Sequence, residues 1–443
     1  TVRNITLKGN TFTKDYVIRR ELTFKENEIL TPEMLNESVT RLQSLGFFNR
    51  VQIRTLEEGT NLADRTVEVE VTEADPGLFT IGAGVNNERD LTFRGYLGLA
   101  YRNLGGTGRG IVFRVDPKYS TDPNIAYLEN RITLSYIEPF IFNNRNVGRI
   151  NLIRDQSYFG IEKDTSRTIM LETNSIGFIL EKEVLKNLKV TYTAYNFANQ
   201  REFYRDNKDA RKTLNIAKTG PLFEFDNRND VFFPSKGAYS FLNLEYSDPL
   251  LGSSANNNIT IQFAKANAGY TWYQKLSKNS DWVWASSVRG GYLKNLSRKD
   301  NSGVPGQEDF FLGGRTTIRG FDASEQERIP NNYDLNVSSI ADFKMTTHSE
   351  YALLKTEVRF PLWKNFPVGP LGGVVFYDGG AVFLHQTGIY LKDPYRDAAG
   401  VGLRVATPVG PLNLEVGWKL DRREYAPGKK ESPFAFHFSI GTF

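Results

Sequence analysis

The sequence predicts an all-β transmembrane barrel of about sixteen antiparallel strands, preceded by a small α+β domain. Three observations carry this. Aromatic residues are 13% of the 443 residues, with 31 Phe and 21 Tyr, although the mean hydropathy is only −0.42. Strands that alternate outward apolar with inward polar residues average out polar in this way. The alternating runs are about ten or more residues long, as a tilted membrane-spanning strand requires, against a usual five or six in soluble sheets. The connections alternate short and long, the pattern of a barrel with turns at one end and loops at the other.

Composition removes several chemistries. Lys plus Arg is 55 against 51 for Asp plus Glu, a formal net charge of +4, so no nucleic-acid partner is implied. There is no Cys, which excludes disulfides, thiol nucleophiles and Cys-ligated zinc. The three His residues, His348, His385 and His437, show no metal-ligand spacing. No stretch approaches the roughly 18 apolar residues of a transmembrane helix. No metal, cofactor or enzymatic reaction is expected. The chain opens at Thr1 with no signal peptide in view, as in a mature or trimmed product.

The first element is a short strand carrying Val2, Ile5 and Leu7, ended by the turn pair Gly9-Asn10. A polar helical stretch follows from about Lys14 to Leu22. Thr31-Pro32 starts a second helix, because Thr caps free N–H groups and Pro fits the first helical position. Leu35, Val39, Leu42 and Leu45 share one helical face, and Gly46 is placed to stop it. Val51 and Ile53, then Val67, Val69 and Val71, alternate with polar residues as two half-buried strands. The order β-α-α-β-β fills residues 1–74, and nothing in it offers catalysis. The strand near Val51 to Thr55 is the candidate edge for adding a partner strand. Residues 75–77, Asp-Pro-Gly, form the linker.

From Leu78 onward the chain reads as strands. Leu412, Leu414, Val416, Trp418 and Leu420 alternate with Asn413, Glu415, Gly417 and Lys419. Ala352, Leu354, Thr356, Val358 and Phe360 repeat the pattern, with Lys355, Glu357 and Arg359 on the other face. A soluble sandwich would present those charges to bulk water, and pattern alone leaves it open. Short connections are expected at Asn103 to Gly108, Leu185 to Asn187 and Pro408 to Pro411. Long ones are expected at Arg201 to Arg211, Ser297 to Asn331 and Arg422 to Ser432. Roughly 365 residues at about 23 per strand and connection give about sixteen strands, an even number. Gly105, Gly106, Gly108 and Gly110 lack the Lys-Ser/Thr of a phosphate-binding loop and no helix follows, so a turn is expected. No G-x-S-x-G is present.

Several segments carry a resemblance. Gly313 to Phe321 reads GGRTTIRGF inside the longest loop. NLGGTG at Asn103 to Gly108, FDNRNDVFFPSKG at Phe225 to Gly237, FYDGG at Phe376 to Gly380 and PVGP at Pro408 to Pro411 surround it, and the chain ends in Phe443. Together these resemble the BamA/TamA superfamily of outer-membrane assembly proteins, with BamA-like members favoured. LGFFNRVQI at Leu45 to Ile53 is similar to the most typical part of a polypeptide-transport-associated (POTRA) domain. The resemblance covers essentially the whole chain.

The resemblance implies a POTRA domain at 1–74 and an outer-membrane barrel at 78–443, with the loop 297–331 folded into the lumen. Its loop motif is Gly313, Gly314, Ile318, Arg319, Gly320 and Phe321. It places Glu357 and Asp378 against Arg319, whose planar fork suits bidentate carboxylate pairing. The barrel must close by pairing its first strand, about Leu78 to Val85, with its last, about Pro433 to Phe443. Gly82 and Gly84 weaken the first, and the last holds Phe434, Phe436, Phe438, Gly441 and Phe443. Phe443 is out of phase with the other three Phe residues, which puts the seam's pairing in doubt. An edge that opens can template a client strand. The implied function is therefore assembly and insertion of client barrels into the Gram-negative outer membrane. Implied partners are client proteins, periplasmic accessory lipoproteins or other envelope proteins meeting a periplasmic POTRA domain, and the bilayer. Members usually carry several POTRA domains, so upstream domains are expected to have been removed. The alternatives are a polypeptide exporter of the two-partner secretion type and a passive porin or adhesin barrel.

Overall fold

The computed structural model describes residues 1–57, 64–87, 91–122, 127–142, 144–161, 167–255, 259–299, 302–322, 346–386, 394–407, 410–426 and 428–440. They form two compact units. One joins residues 1–81 with 97–115 and 133–151; the other holds 82–96, 116–132 and 152–443.

The N-terminal domain runs β1 (Val2–Lys8), α1 (Asp15–Arg19), α2 (Pro32–Ser44), β2 (Phe48–Thr55) and β3 (Arg65–Glu73). Its sheet has the order β1-β3-β2, with β1 parallel and β2 antiparallel to β3, so β2 is an edge. The Thr31 hydroxyl accepts the Met34 N–H at 3.3 Å and caps α2. Gly46, at φ +73°, ends that helix. Val17, Ile18 and Leu42 of the helices pack on Val51, Val67 and Val69 in one apolar core. Glu73 closes the turn after β1 by accepting N–H bonds from Thr11, Phe12 and Thr13.

Sixteen strands then follow one another around a closed antiparallel sheet. They are β4 (Gly77–Asn86), β5 (Thr92–Leu104), β6 (Arg109–Ser120), β7 (Leu128–Glu138), β8 (Val147–Ile161), β9 (Thr168–Leu185), β10 (Leu188–Tyr204) and β11 (Asn207–Asp226). The second half comprises β12 (Gly237–Ser247), β13 (Phe263–Lys275), β14 (Val283–Asn295), β15 (Thr346–Trp363), β16 (Leu371–Gln386), β17 (Tyr395–Thr407), β18 (Gly410–Lys419) and β19 (Phe434–Ile440). The first strand already begins at Gly77, inside the expected linker. Among the described residues no helix is long and apolar enough to cross a membrane.

The alternation works as the sequence predicts. On β18 Trp418 is exposed while Glu415 and Lys419 are buried, and on β15 Leu354 is exposed while Glu357 is buried. One connection differs from expectation. Arg201 to Arg211 is not a long loop but the ends of two long strands, with Tyr204 opposite Asn207 in a tight hairpin. Backbone ladder bonds form whatever the side-chain charge, so a run of charges there extends the hairpin instead of ending it. Of the expected PVGP turn, residues 408–409 lie outside the described residues.

The turn between β11 and β12 is built by its own side chains. Asn229 Oδ1 accepts from the N–H groups of Ser235 and Lys236, and Asp230 Oδ1 from those of Phe232 and Phe233. Asp226 pairs with Arg228 at 2.6 Å. These bonds hold a long turn rigid and leave Val231 and Phe232 exposed.

Candidate functional site

The loop between β14 and β15 turns back against the inner face of the larger unit. Gly313 (φ +138°) and Gly314 (φ +88°) take backbone conformations that side-chain-bearing residues avoid. The Thr317 hydroxyl donates to the Gly313 carbonyl at 2.9 Å, and Gly314 N–H donates to Phe321 O at 2.8 Å. The resulting knot seats Ile318 and Phe321 in an apolar cluster with Leu312, Leu353, Val382 and Ala398.

Arg319 projects from this knot into the wall and is 2% exposed. Its Nε and Nη2 donate to Asp378 Oδ2 and Oδ1 at 2.7 and 2.8 Å, and its backbone N–H reaches Oδ2 at 3.0 Å. Nη1 donates to Glu357 Oε2 at 2.8 Å and to Glu415 Oε1 at 3.1 Å. Arg404 bridges the same two glutamates, at 2.9 Å to Glu357 and 2.7 Å to Glu415, and Arg359 holds Glu357 at 2.7 Å. The Arg319 guanidinium also lies 3.6 Å from the Phe376 ring centroid. Three buried carboxylates are thereby matched by surrounding guanidinium groups, the condition under which buried charge is tolerated.

Sequence reasoning named Arg319, Glu357 and Asp378 and missed Glu415, Arg404 and His437. His437 Nε2 lies 2.9 Å from the Arg319 carbonyl oxygen, so the ring donates there. All three missed residues sit on the inward phase of their strands, a signal that alternation carries. Small residues make the space: a Cβ on Gly417 would lie 2.3 Å from the Arg319 carbonyl oxygen, and one on Gly320 would lie 2.4 Å from the Ala398 Cβ. A second anchor, also missed, holds the start of the loop, where buried Glu308 meets Lys218 at 3.0 Å and Lys265 at 3.4 Å. Among the described residues no cluster of His, Asp and Glu is placed to hold a metal.

The seam joins β19 to β4. Its described register is Asn86 opposite Ser439 and Val85 opposite Ile440. Asn87 then takes over from the ladder: its Nδ2 donates to Phe436 O at 2.6 Å and its Oδ1 accepts from Phe438 N–H at 2.7 Å. Phe438 therefore stands beside Asn87 and not beside Gly82. Closing register is set by the stagger of the whole barrel, which no single strand reveals. Phe434 and Phe436 are exposed on the outer face while Ala435, His437 and Ser439 are buried. Gly84 is buried, and a Cβ on Gly82 would strike the Tyr96 ring at 2.2 Å. Gly441 and Phe443 lie outside the described residues.

Within the N-terminal unit, the glycine-rich turn after β5 meets the N-terminal domain. Lys14 N–H donates to Gly106 O at 2.9 Å. Asn103, buried, donates to Thr13 Oγ1 at 2.9 Å and accepts from Gly108 N–H at 2.8 Å. Gly106 has no room for a Cβ, which would lie 2.1 Å from Phe12 O.

Residues 103–443 match the family model of the Omp85 superfamily domain. The chain belongs to the Omp85 superfamily. Residues 1–74 match the POTRA model, described as a surface antigen variable number repeat. This Omp85 chain is 21% identical to the outer membrane protein assembly factor BamA of Neisseria meningitidis serogroup B over 478 aligned residues, covering 100% of the chain and 56% of that protein. It is 31% identical over 150 residues to the same factor from Neorickettsia risticii, covering 33% of the chain and 20% of that protein. It thus spans about half the length, or less, of these relatives. The crystal structure of BamA from Haemophilus ducreyi lacking POTRA domains 1–3 superposes with a TM-score of 0.73 at 18% identity, over 99% of this chain and 84% of that one. CdiB from Acinetobacter baumannii gives 0.59 at 15% identity, over 99% and 73%. At these identities the structural likeness concerns the fold alone.

Proposed function

We propose that this chain assembles β-barrel client proteins and inserts them into the outer membrane of a Gram-negative bacterium, by opening the seam between β4 and β19. On this reading residues 1–74 act as a POTRA domain in the periplasm, residues 78–443 span the membrane, and Arg319 with Glu357 and Asp378 fixes the loop inside the lumen. The partners are unfolded clients, the bilayer, and envelope proteins such as accessory lipoproteins docking on the N-terminal domain. No bond-making step and no cofactor is assigned.

One observation carries the reading. The barrel closes where its first strand meets its last, Asn86 opposite Ser439 and Val85 opposite Ile440, with the Asn87 side chain bridging to Phe436 O and Phe438 N–H. A strand edge released there would offer its backbone groups as a template for another strand. The relatives named as assembly factors support the same class of activity. The test is client folding in liposomes. With this chain reconstituted, a purified unfolded barrel protein should become heat-modifiable faster than in protein-free liposomes of the same lipid. Equal rates would sink the proposal.

A second reading is polypeptide export through the lumen, which a barrel of this fold, shared with CdiB, would also permit. Planar-bilayer conductance separates the readings. A passive porin conducts steadily, an exporter conducts once its loop is displaced, and an assembly factor holding the Arg319 loop in place stays mostly closed.

A further inference from the structure

Beneath the Arg319 loop the larger unit carries an open cavity of about 960 Å³. Its wall is graded. On β14 the inward-facing residues read Val283, Ala285, Ser287 and Arg289, from apolar through hydroxyl to cationic. Phe232, Phe233 and Pro234 of the β11–β12 turn line the cavity too, beside Arg359, which stands opposite Val283 and donates to Pro234 O at 3.4 Å. The register sets Thr271, Ser287 and Lys355 in one row across β13, β14 and β15, with the Thr271 and Ser287 hydroxyls 2.8 Å apart. Lys355 Nζ donates to the Arg315 carbonyl at 3.1 Å, and Arg289 Nε donates to Ser287 Oγ at 3.3 Å. Arg289, Arg315 and Lys355 all line the same cavity.

The charges at this end do not cancel. Glu357 and Glu415 are taken up by Arg319, Arg404 and Arg359. Asp378 is held by three nitrogens of Arg319 and lies 3.7 Å from Lys355. Among the described residues Arg289 and Arg315 have no carboxylate partner. Uncompensated cations lining a cleft concentrate anions. Two guanidinium forks beside an ammonium and two hydroxyls match the oxygens of a phosphate, sulfonate or carboxylate.

We propose that this cavity binds an anionic amphiphile, with its head between Arg289, Arg315 and Lys355 and its apolar body against Val283, Phe232 and Phe233. A bare anion would leave the apolar end wet, and a neutral apolar molecule would leave the cations unmatched. The site lies away from β4 and β19 and does not depend on how the seam behaves. A membrane lipid with a phosphate head and a soluble organic anion share this chemistry.

The test uses the full chain folded in a nonionic detergent, with 1-naphthyl phosphate as probe and fluorescence anisotropy as readout. Binding should saturate, and Arg289→Gln and Arg315→Gln should each weaken it about tenfold, the scale of one lost charge-assisted hydrogen bond. Phe233→Ser should weaken it from the apolar end. Lys189→Gln, which removes a surface pair with Glu181 outside the cavity, should leave it unchanged. Each variant is first checked for the wild-type heat-modifiable gel shift, and Arg289→Lys, which keeps the charge, should retain most of the binding. Displacement by dihexanoyl phosphatidic acid supports the site and assigns it to lipid; displacement by soluble aryl phosphates alone supports it and assigns it to a soluble anion. Unchanged affinity in both Arg→Gln variants overturns the proposal. Displacement by inorganic phosphate as strong as by the probe itself also overturns it, because the apolar body would then contribute nothing.

Discussion

Gly417 and Arg319 meet backbone to side-chain-free backbone: the Cβ that Gly417 lacks would fall 2.3 Å from the Arg319 carbonyl oxygen and 2.6 Å from its carbon. The wall of β18 is notched at this residue, and the loop knot sits in the notch. Gly417→Ala should therefore expel the loop without deleting any charged group. Overpacking of this kind costs about 1–3 kcal/mol. Protease should cut within 302–322 faster than in wild type, and the heat-modifiable shift should be lost at lower temperature. Unchanged cleavage would mean that the notch is not what seats the loop.

Arg319→Ala attacks the same contact from the charge side. It leaves Asp378 buried with its main partner gone, and truncating one member of a buried pair costs about 3–5 kcal/mol. Arg319→Lys should recover little, because an ammonium cannot span Asp378, Glu357 and Glu415 together. Pairing Arg319→Ala with Asp378→Asn should cost less than the two single effects added, since the second change removes the orphaned charge. Strict additivity in thermal gel-shift assays would show that the pair is not coupled.

Glu73 gives the N-terminal domain a pH dependence. Desolvation pushes its carboxyl up, but hydrogen bonds from Thr13, Phe12 and Thr11 outweigh this and hold it down at about 2, against an ordinary 4.5. A folded-state value below the unfolded one stabilises the fold above about 4.5, and that stability drains away as pH falls toward 2. Proteolysis of the turn at residues 9–13 should therefore accelerate between pH 5 and 3 in wild type. In Glu73→Gln it should be fast at pH 7 already and nearly flat below. A wild-type profile in the variant would remove Glu73 from the account.

What was legible in the sequence follows from what a single strand knows. Alternation on β15, β17 and β18 fixes which residues point inward, so Glu357, Arg404 and Glu415 were all readable as lumen residues. Which of them meet is set by the stagger between neighbouring strands, and alternation does not carry that number. Arg319 could be matched to Glu357 and Asp378 through a family resemblance, whereas nothing in the sequence matched Glu415 or Arg404 to it. The Arg201 to Arg211 segment failed for a different reason. Its charges look like a loop, yet a hairpin satisfies its backbone regardless of side chain. The seam's two strands follow from chain order, but their register does not: closure register is a property of sixteen strands together.

That register makes the seam testable. Asn86 and Ser439 face each other, so their Cα atoms lie within the roughly 7 Å that a disulfide allows. The chain contains no Cys, so Asn86→Cys with Ser439→Cys introduces the only thiols. Oxidation should cross-link this pair efficiently, whereas a Gly82→Cys and Phe438→Cys pair should not close, because Asn87, not Gly82, is bonded to Phe438. The linked barrel should stay folded, since the bond joins strands that already meet. If client insertion requires β4 and β19 to part, the oxidised protein should insert clients slowly and recover on reduction. Asn87→Ala, which removes the side chain bridging to Phe436 O and Phe438 N–H, should act in the opposite direction and ease opening. Full insertion activity in the efficiently cross-linked protein would rule out an opening seam and leave the lumen as the route to be examined.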